Sequence, residues 1–182
     1  SPYTLKKLEL RSKVSSFAAQ YLQVPLIYVN QIGANDNLIF DGNSFILDKN
    51  GSKIKQLKSF SEDLSSWEIE QTKPEKNEFE NSEMSSIFDA LVLGVKDYAK
   101  KCGFKTALVG LSGGIDSALV SAIATAALGS DNVYCVSMPS KWSSSHSKSD
   151  AKDLARRLKI SFKSIPIENL MTSFEESFIK TI

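Results

Sequence analysis

Apolar positions recur along the chain with two different periods, and the change of period divides it. Leu10, Val14, Phe17 and Tyr21 are spaced i, i+4, i+7 and i+11, which places them on one helix face. After Pro25 the run LIYVNQI reads as a strand. The segment LIFDGNSFILDKNGSKIKQL follows soon after, with turn signals at Asp41-Gly42 and Asn50-Gly51 between β-rich runs, and predicts a hairpin or meander. Residues 68–83, EIEQTKPEKNEFENSE, are charged, contain Pro74 and lose all periodicity, as a linker would. Helical spacing then returns with Ile87, Leu91, Val95 and Tyr98, and Gly103 is placed to end that helix as its C′ residue. Beyond it the pattern predicts strand Thr106–Leu111, helix Ser117–Leu128 closed by Gly129 and strand Val133–Ser137. The Ser-rich loop MPSKWSSSHSKS, helix Asp150–Leu158 and strand Ile160–Pro166 complete a βαβαβ series. Such a series implies parallel strands in a doubly wound α/β sheet.

The remaining composition narrows the function classes. The 182 residues are 42% hydrophobic, enough for a packed core. Lys and Arg number 22 against 21 Asp and Glu, a net charge of +1 with no basic block, which argues against nucleic acid as a partner. No apolar run approaches the ~20 residues of a membrane span, and no signal-peptide pattern opens the chain. Because it starts at Ser1, the chain is expected to be a processed product or an internal segment. Cys135 lies in the apolar run Val133–Val136 and Cys102 beside Gly103, so no disulfide framework is expected, which fits a cytoplasmic location. The single histidine, His146, excludes a multi-histidine metal site and reads as a surface residue.

The chemistry is concentrated in ALVGLSGGIDS, residues 107–117. A strand-to-helix turn at the carboxyl edge of a parallel sheet aims backbone N–H groups outward, and the helix N-terminus adds about half a positive charge. Gly113 and Gly114 let an anion approach the backbone, and Ser112 and Ser117 add hydroxyls. Asp116 would repel a bare phosphate but suits one bridged by a divalent metal. The Walker pattern GxxxxGK is absent, as is GxGxxG. Two glycines alone would equally mark a sharp corner; the strand-to-helix context and the flanking Ser and Asp favour the anion site.

Ser112-Gly113-Gly114-Ile115-Asp116-Ser117 after an apolar strand resembles the pyrophosphate loop of the N-type ATP pyrophosphatases. VSMPSKWSS, 136–144, narrows the likeness to the glutamine-dependent NAD synthetase family. SPYTLKKLELR at the start and YVNQIGANDNLIFDGNSFILD, 28–48, resemble the end of that family's nitrilase-like glutaminase domain. The resemblance implies three parts: 1–66, the end of a nitrilase-like α/β sandwich; 67–83, a linker; and 84–182, the start of the synthetase domain, with its adenine nucleotide alpha hydrolase-like sheet.

The resemblance also implies an amide-forming ligase that adenylylates deamido-NAD+ with ATP and amidates it with ammonia from glutamine. Gly110, Leu111, Ser112, Gly113, Gly114, Ile115, Asp116 and Ser117 carry over as ATP-binding, with Asp116 as a Mg2+ ligand. Ser1 and Lys7 fall where the family contacts glutamine; their alternatives are a frayed terminus and a solvated helix lysine. Ser140, Lys141 and Ser143 lie at the ligand-binding edge of the sheet and are candidate nucleotide contacts, or else part of a solvated loop. No catalytic residue is assigned, since the family's glutaminase Glu-Lys-Cys triad would lie upstream of Ser1. The full-length enzyme is expected to be a homo-oligomer. The competing readings are a GMP synthetase-like amidotransferase of the same loop class and a non-catalytic nucleotide-binding fragment.

Overall fold

A computed structural model describes residues 1–69, 74 and 82–179. The expected linker, 67–83, falls largely outside them. The chain divides into two compact units, Ser1–Tyr98 and Ala99–Ile182.

In the first unit, helix α1 (Lys7–Leu22) leads into strand β1 (Leu26–Tyr28). Strands β2 (Ile32–Asn35) and β3 (Leu38–Asp41) form an antiparallel pair. Strands β4 (Phe45–Leu47) and β5 (Lys53–Gln56) join β1 in a second antiparallel sheet ordered β1-β4-β5. The Asn50–Gly51 turn closes β4 onto β5 as expected: Gly51 has φ +75°, and the Asp48 carboxylate accepts the N–H groups of Asn50 and Ser52. Asp41–Gly42 is not a hairpin turn. It is a corner where the chain passes from one sheet to the other, and the tight turn between β2 and β3 is instead at Asp36, φ +50°. Short Asp side chains tolerate that left-handed conformation.

The apolar face expected on α1 points outward: Leu10 is 55% and Tyr21 77% exposed. The buried stripe is Arg11, Ser15 and Ala19. Ala19 packs on Phe45 and Leu47, where a larger residue would hold the helix off the sheet. Arg11 is tolerated inside because Asp41 meets it with two hydrogen bonds, Nη1 to Oδ2 at 3.0 Å and Nη2 to Oδ1 at 2.9 Å. A similar exchange occurs on helix α2 (Glu83–Cys102), where Ala90 and Leu93 are buried while Leu91, Val95 and Tyr98 are exposed. Asp97 Oδ2 accepts the Ala34 N–H at 2.8 Å, and Gly94 lies beside Ile39. These contacts fix which face of α2 turns toward the β2–β3 hairpin.

The second unit takes the last turn of α2, which ends on Gly103 at φ +74° with the Phe104 N–H bonded back to the Ala99 carbonyl. Strands β6 (Ala107–Gly110), β7 (Val133–Ser137) and β8 (Ser161–Ser164) form a parallel sheet in that order. Helices α3 (Ile115–Leu128) and α4 (Ser145–Leu158) make the crossovers, and α5 (Glu168–Ile179) follows β8. Right-handed crossovers between strands in sequential order put both helices on one face, and α3 and α4 also touch each other. The core is Leu111, Ala124, Val133, Cys135, Ala151, Ala155 and Ile160. Leu108 and Tyr134, with the opposite strand parity, face the other side and are exposed. Helix α4 begins at Ser145, five residues before the predicted start. The serine run that reads as loop contains its cap: Ser144 Oγ accepts the Ser147 N–H at 3.0 Å.

Candidate functional site

The loop between β6 and α3 is built from its own serines. Leu111 N–H bonds to the Val136 carbonyl at 2.9 Å, extending the β6–β7 pairing one residue past the strand. Beyond it, Ser112 Oγ and Ser117 Oγ lie 3.0 Å apart, and Ser117 Oγ also receives the Ser112 N–H. Ser112 Oγ accepts the Gly114 N–H, and Ser117 Oγ donates to the Gly114 carbonyl at 2.9 Å. Ser112 and Ser117 therefore hold the loop's shape as well as offering hydroxyls. The N-cap of α3 is Gly114, which has no side chain to bond the first helical N–H groups. Those amides are left for a ligand or solvent, with the positive end of the helix dipole behind them.

Gly113 has a second, structural role. Its φ is +89°, and a Cβ there would overlap the Ser147 carbonyl and stand 2.8 Å from Ser147 Cα. The first turn of α4 thus lies directly against the loop. Between them is a cleft of about 190 Å³. Its floor is Gly110, Leu111 and Ser112 from β6 and the loop, with Val136, Ser137, Met138 and Pro139 from the end of β7. Ser143, Ser147 and Lys148 complete the wall. This is the carboxyl edge of two adjacent parallel strands, where α/β sheets bind ligands.

Of the predicted residues, Gly110, Leu111, Ser112 and Ser143 line the cleft, and Gly113, Gly114, Ile115, Asp116 and Ser117 continue from it into α3. Ser140 serves the local turn: its N–H bonds to Ser143 Oγ, and its Oγ accepts the Trp142 N–H. Lys141 Nζ lies 5.4 Å from the Trp142 ring centroid and 3.9 Å from Glu175 on α5. Ser147 and Lys148 are wall residues that sequence reasoning missed. The signal was present in the Ser144-x-x-Ser147 spacing, an N-cap pattern that starts the helix early and puts Lys148 in its first turn.

Asp116 stands in the first turn of α3 and is exposed. Among the described residues no three His, Cys, Asp or Glu side chains gather to form a metal cage. A single carboxylate beside a phosphate-type loop fits Mg2+, which takes one or two carboxylates together with substrate phosphates.

Ser1 and Lys7 belong to the first unit. The Ser1 carbonyl accepts from Arg11 Nη2 at 2.9 Å and from Asn30 Nδ2 at 3.1 Å, and its Oγ accepts from Arg11 Nε at 3.3 Å. Lys7 opens α1 and is half-buried. Nearby, burial first, and then the carboxylates of Asp41 and Glu83, push the Tyr3 phenol above its usual value.

Known proteins share this arrangement. The sequence pattern of NAD synthase matches residues 87–182. The glutamine-dependent NAD(+) synthetase of Synechocystis is 45% identical over 98% of this chain and 33% of its own length. That of Rhodobacter capsulatus is 40% identical over 96% of this chain and 33% of its own. The structure of the glutamine-dependent NAD+ synthetase from Acinetobacter baumannii, in complex with ADP, superposes over 100% of this chain and 35% of its own, with TM-score 0.91 at 36% identity. The chain therefore spans about a third of the length of the relatives it matches. With the family's pattern running through the lysine-free loop and the βαβαβ unit around it, the chain belongs to the NAD synthase family.

Proposed function

We propose that this chain is part of a glutamine-dependent NAD synthetase. In that reaction the carboxylate of deamido-NAD+ attacks the α-phosphorus of ATP. The bond from that phosphorus to the bridging oxygen breaks, and pyrophosphate leaves. Ammonia released from glutamine then attacks the acyl carbon of the adenylate, forming the amide and expelling AMP.

The observation that carries the reading is the lysine-free loop Ser112–Ser117, with uncapped helix amides, at the wall of a cleft on the carboxyl edge of β6 and β7. Such a loop grips a phosphate group through N–H donors without supplying the lysine of a γ-phosphoryl transferase. That suits holding the departing β,γ-pyrophosphate. The protein's contribution is to fix the triphosphate in line and stabilise developing charge. Asp116 would hold Mg2+, which when bound offsets part of the phosphate charge. The Acinetobacter baumannii relative is a complex with ADP, an adenine nucleotide of the class this reading assigns to the present chain.

Residues 1–66 then end a glutaminase domain, 67–83 link it to the synthetase domain, and Ser1 and Lys7 contact glutamine. Ser140, Lys141 and Ser143 form the outer lip of the nucleotide site. The whole protein acts in the cytoplasm as a homo-oligomer.

The test gives the full-length protein deamido-NAD+, ATP with Mg2+, and glutamine, and measures adenine nucleotides and NAD+. AMP and NAD+ in equal amounts are expected. Formation of ADP in place of AMP would overturn the reading.

A further inference from the structure

We infer that Lys148 is a nucleotide-phosphate contact, supplying from α4 the cation that the loop itself lacks. The inference rests on the ATP reading above. It starts from a charge imbalance. A triphosphate is strongly anionic, yet the loop contains no basic residue and adds the negative Asp116. Among the residues lining the cleft, Lys148 alone carries a charge. The neighbouring candidate, Lys141, is drawn to Glu175 and lies beside the Trp142 ring.

The position of Lys148 is fixed by backbone contacts rather than by its flexible side chain. Its N–H bonds to the Ser144 carbonyl, within the turn capped by Ser144 Oγ. The residue before it, Ser147, has its carbonyl against Gly113. Lys148 is therefore one residue removed from the loop's tightest contact, and it lines the same cleft as Ser112. Its side chain is exposed, and among the described residues it forms no ion pair. It also sits at the wrong end of α4: a cation in a helix's first turn opposes the macrodipole. A residue that breaks a local rule beside a cleft, with no ion-pair partner among the described residues, is explained by a compensating charge in the ligand.

The experiment measures ATP and adenosine binding by calorimetry on the full-length protein and its Lys148→Gln and Lys148→Arg variants. A charge-assisted hydrogen bond to phosphate predicts that Lys148→Gln weakens ATP about ten- to hundredfold. Adenosine affinity should stay unchanged, and Lys148→Arg should keep most of the ATP affinity. The salt dependence of ATP binding should also flatten in Lys148→Gln. Equal ATP affinity in wild type and Lys148→Gln would overturn the inference, as would equal losses for ATP and adenosine. Failure of the wild type to bind ATP would instead overturn the reading on which it rests.

Discussion

Replacing Gly113 by alanine should cost far more than replacing its neighbour Gly114, although both glycines belong to one phosphate-type loop. At Gly113 the backbone has φ +89°, and a non-glycine residue in that region loses roughly 1–2 kcal/mol. The new Cβ would also overlap the Ser147 carbonyl and lie 2.8 Å from both Ser147 C and Cα. Those are backbone atoms, so no rotamer change relieves the clash. Either the loop or the first turn of α4 must move, and strain of this kind costs roughly 1–3 kcal/mol more. The sum is about 2–5 kcal/mol. Gly114 has φ −85° and ψ 162°, an ordinary extended conformation, and its Cβ would meet only Ser112 Oγ at 3.4 Å. There, loss of a favoured N-cap and gain from a stiffer unfolded chain roughly cancel, leaving a change within about 1 kcal/mol. Urea unfolding of the two variants, followed by a probe in the second unit, measures the difference. Equal stabilities for Gly113→Ala and Gly114→Ala would refute the packing of α4 against the loop.

Two further outcomes follow from the ion pairs. Arg11→Met or Asp41→Asn alone should destabilise the first unit by about 3–5 kcal/mol, because each leaves a buried partner unsatisfied; the double variant should lose much less than the sum, which a denaturation cycle reads directly. The Asp153 carboxyl is held below the usual aspartate range by hydrogen bonds from Arg156 and then Arg157, so its small contribution to stability is present above the unfolded value and is lost as pH falls through the folded one; carboxyl NMR titration should show the low value in wild type and its return toward normal in Arg156→Gln/Arg157→Gln, and an ordinary value in wild type would sink the claim.

The parts of the fold that could be read from the chain are those decided locally. The β6–loop–α3 transition is one: an apolar run, two glycines and an apolar helix are consecutive in sequence, and no distant residue is needed to form them. The ends of α2 and α3 at Gly103 and Gly129 are others, since a positive φ at C′ is a property of the residue itself. What periodicity could not decide was which face of a helix is covered. On α1 the face turned to β4 is not the widest apolar stripe, because Ala19 permits close approach there and Asp41, thirty residues away, neutralises Arg11. On α2 Asp97 is turned toward the protein by the amide of Ala34, sixty-three residues back in sequence. Both outcomes depend on one acceptor–donor match across the unit, which has no signature in a hydrophobic pattern. The start of α4 was hidden differently: four of the five residues 143–147 are serine, and a run of serines reads as loop until one is identified as the cap.

The site is therefore a joint product of two crossover connections, not of one motif. Gly110 pairs with Val136, and Leu111 donates to the Val136 carbonyl, so the loop after β6 and the segment after β7 leave the sheet side by side. Gly113 then accepts the Ser147 carbonyl into the space where other residues carry a Cβ. A Walker-type loop carries its donors and its lysine in one continuous segment. Here the donors are on the first crossover and the cation, Lys148, is on the second. Separating them has a consequence for chemistry. A lysine within the loop would follow the terminal phosphate wherever the loop held it, favouring γ-transfer. On the ATP reading proposed above, a cation carried by a different crossover from the loop is not part of the segment that would hold the departing pyrophosphate, which suits a reaction that breaks the α–β bond.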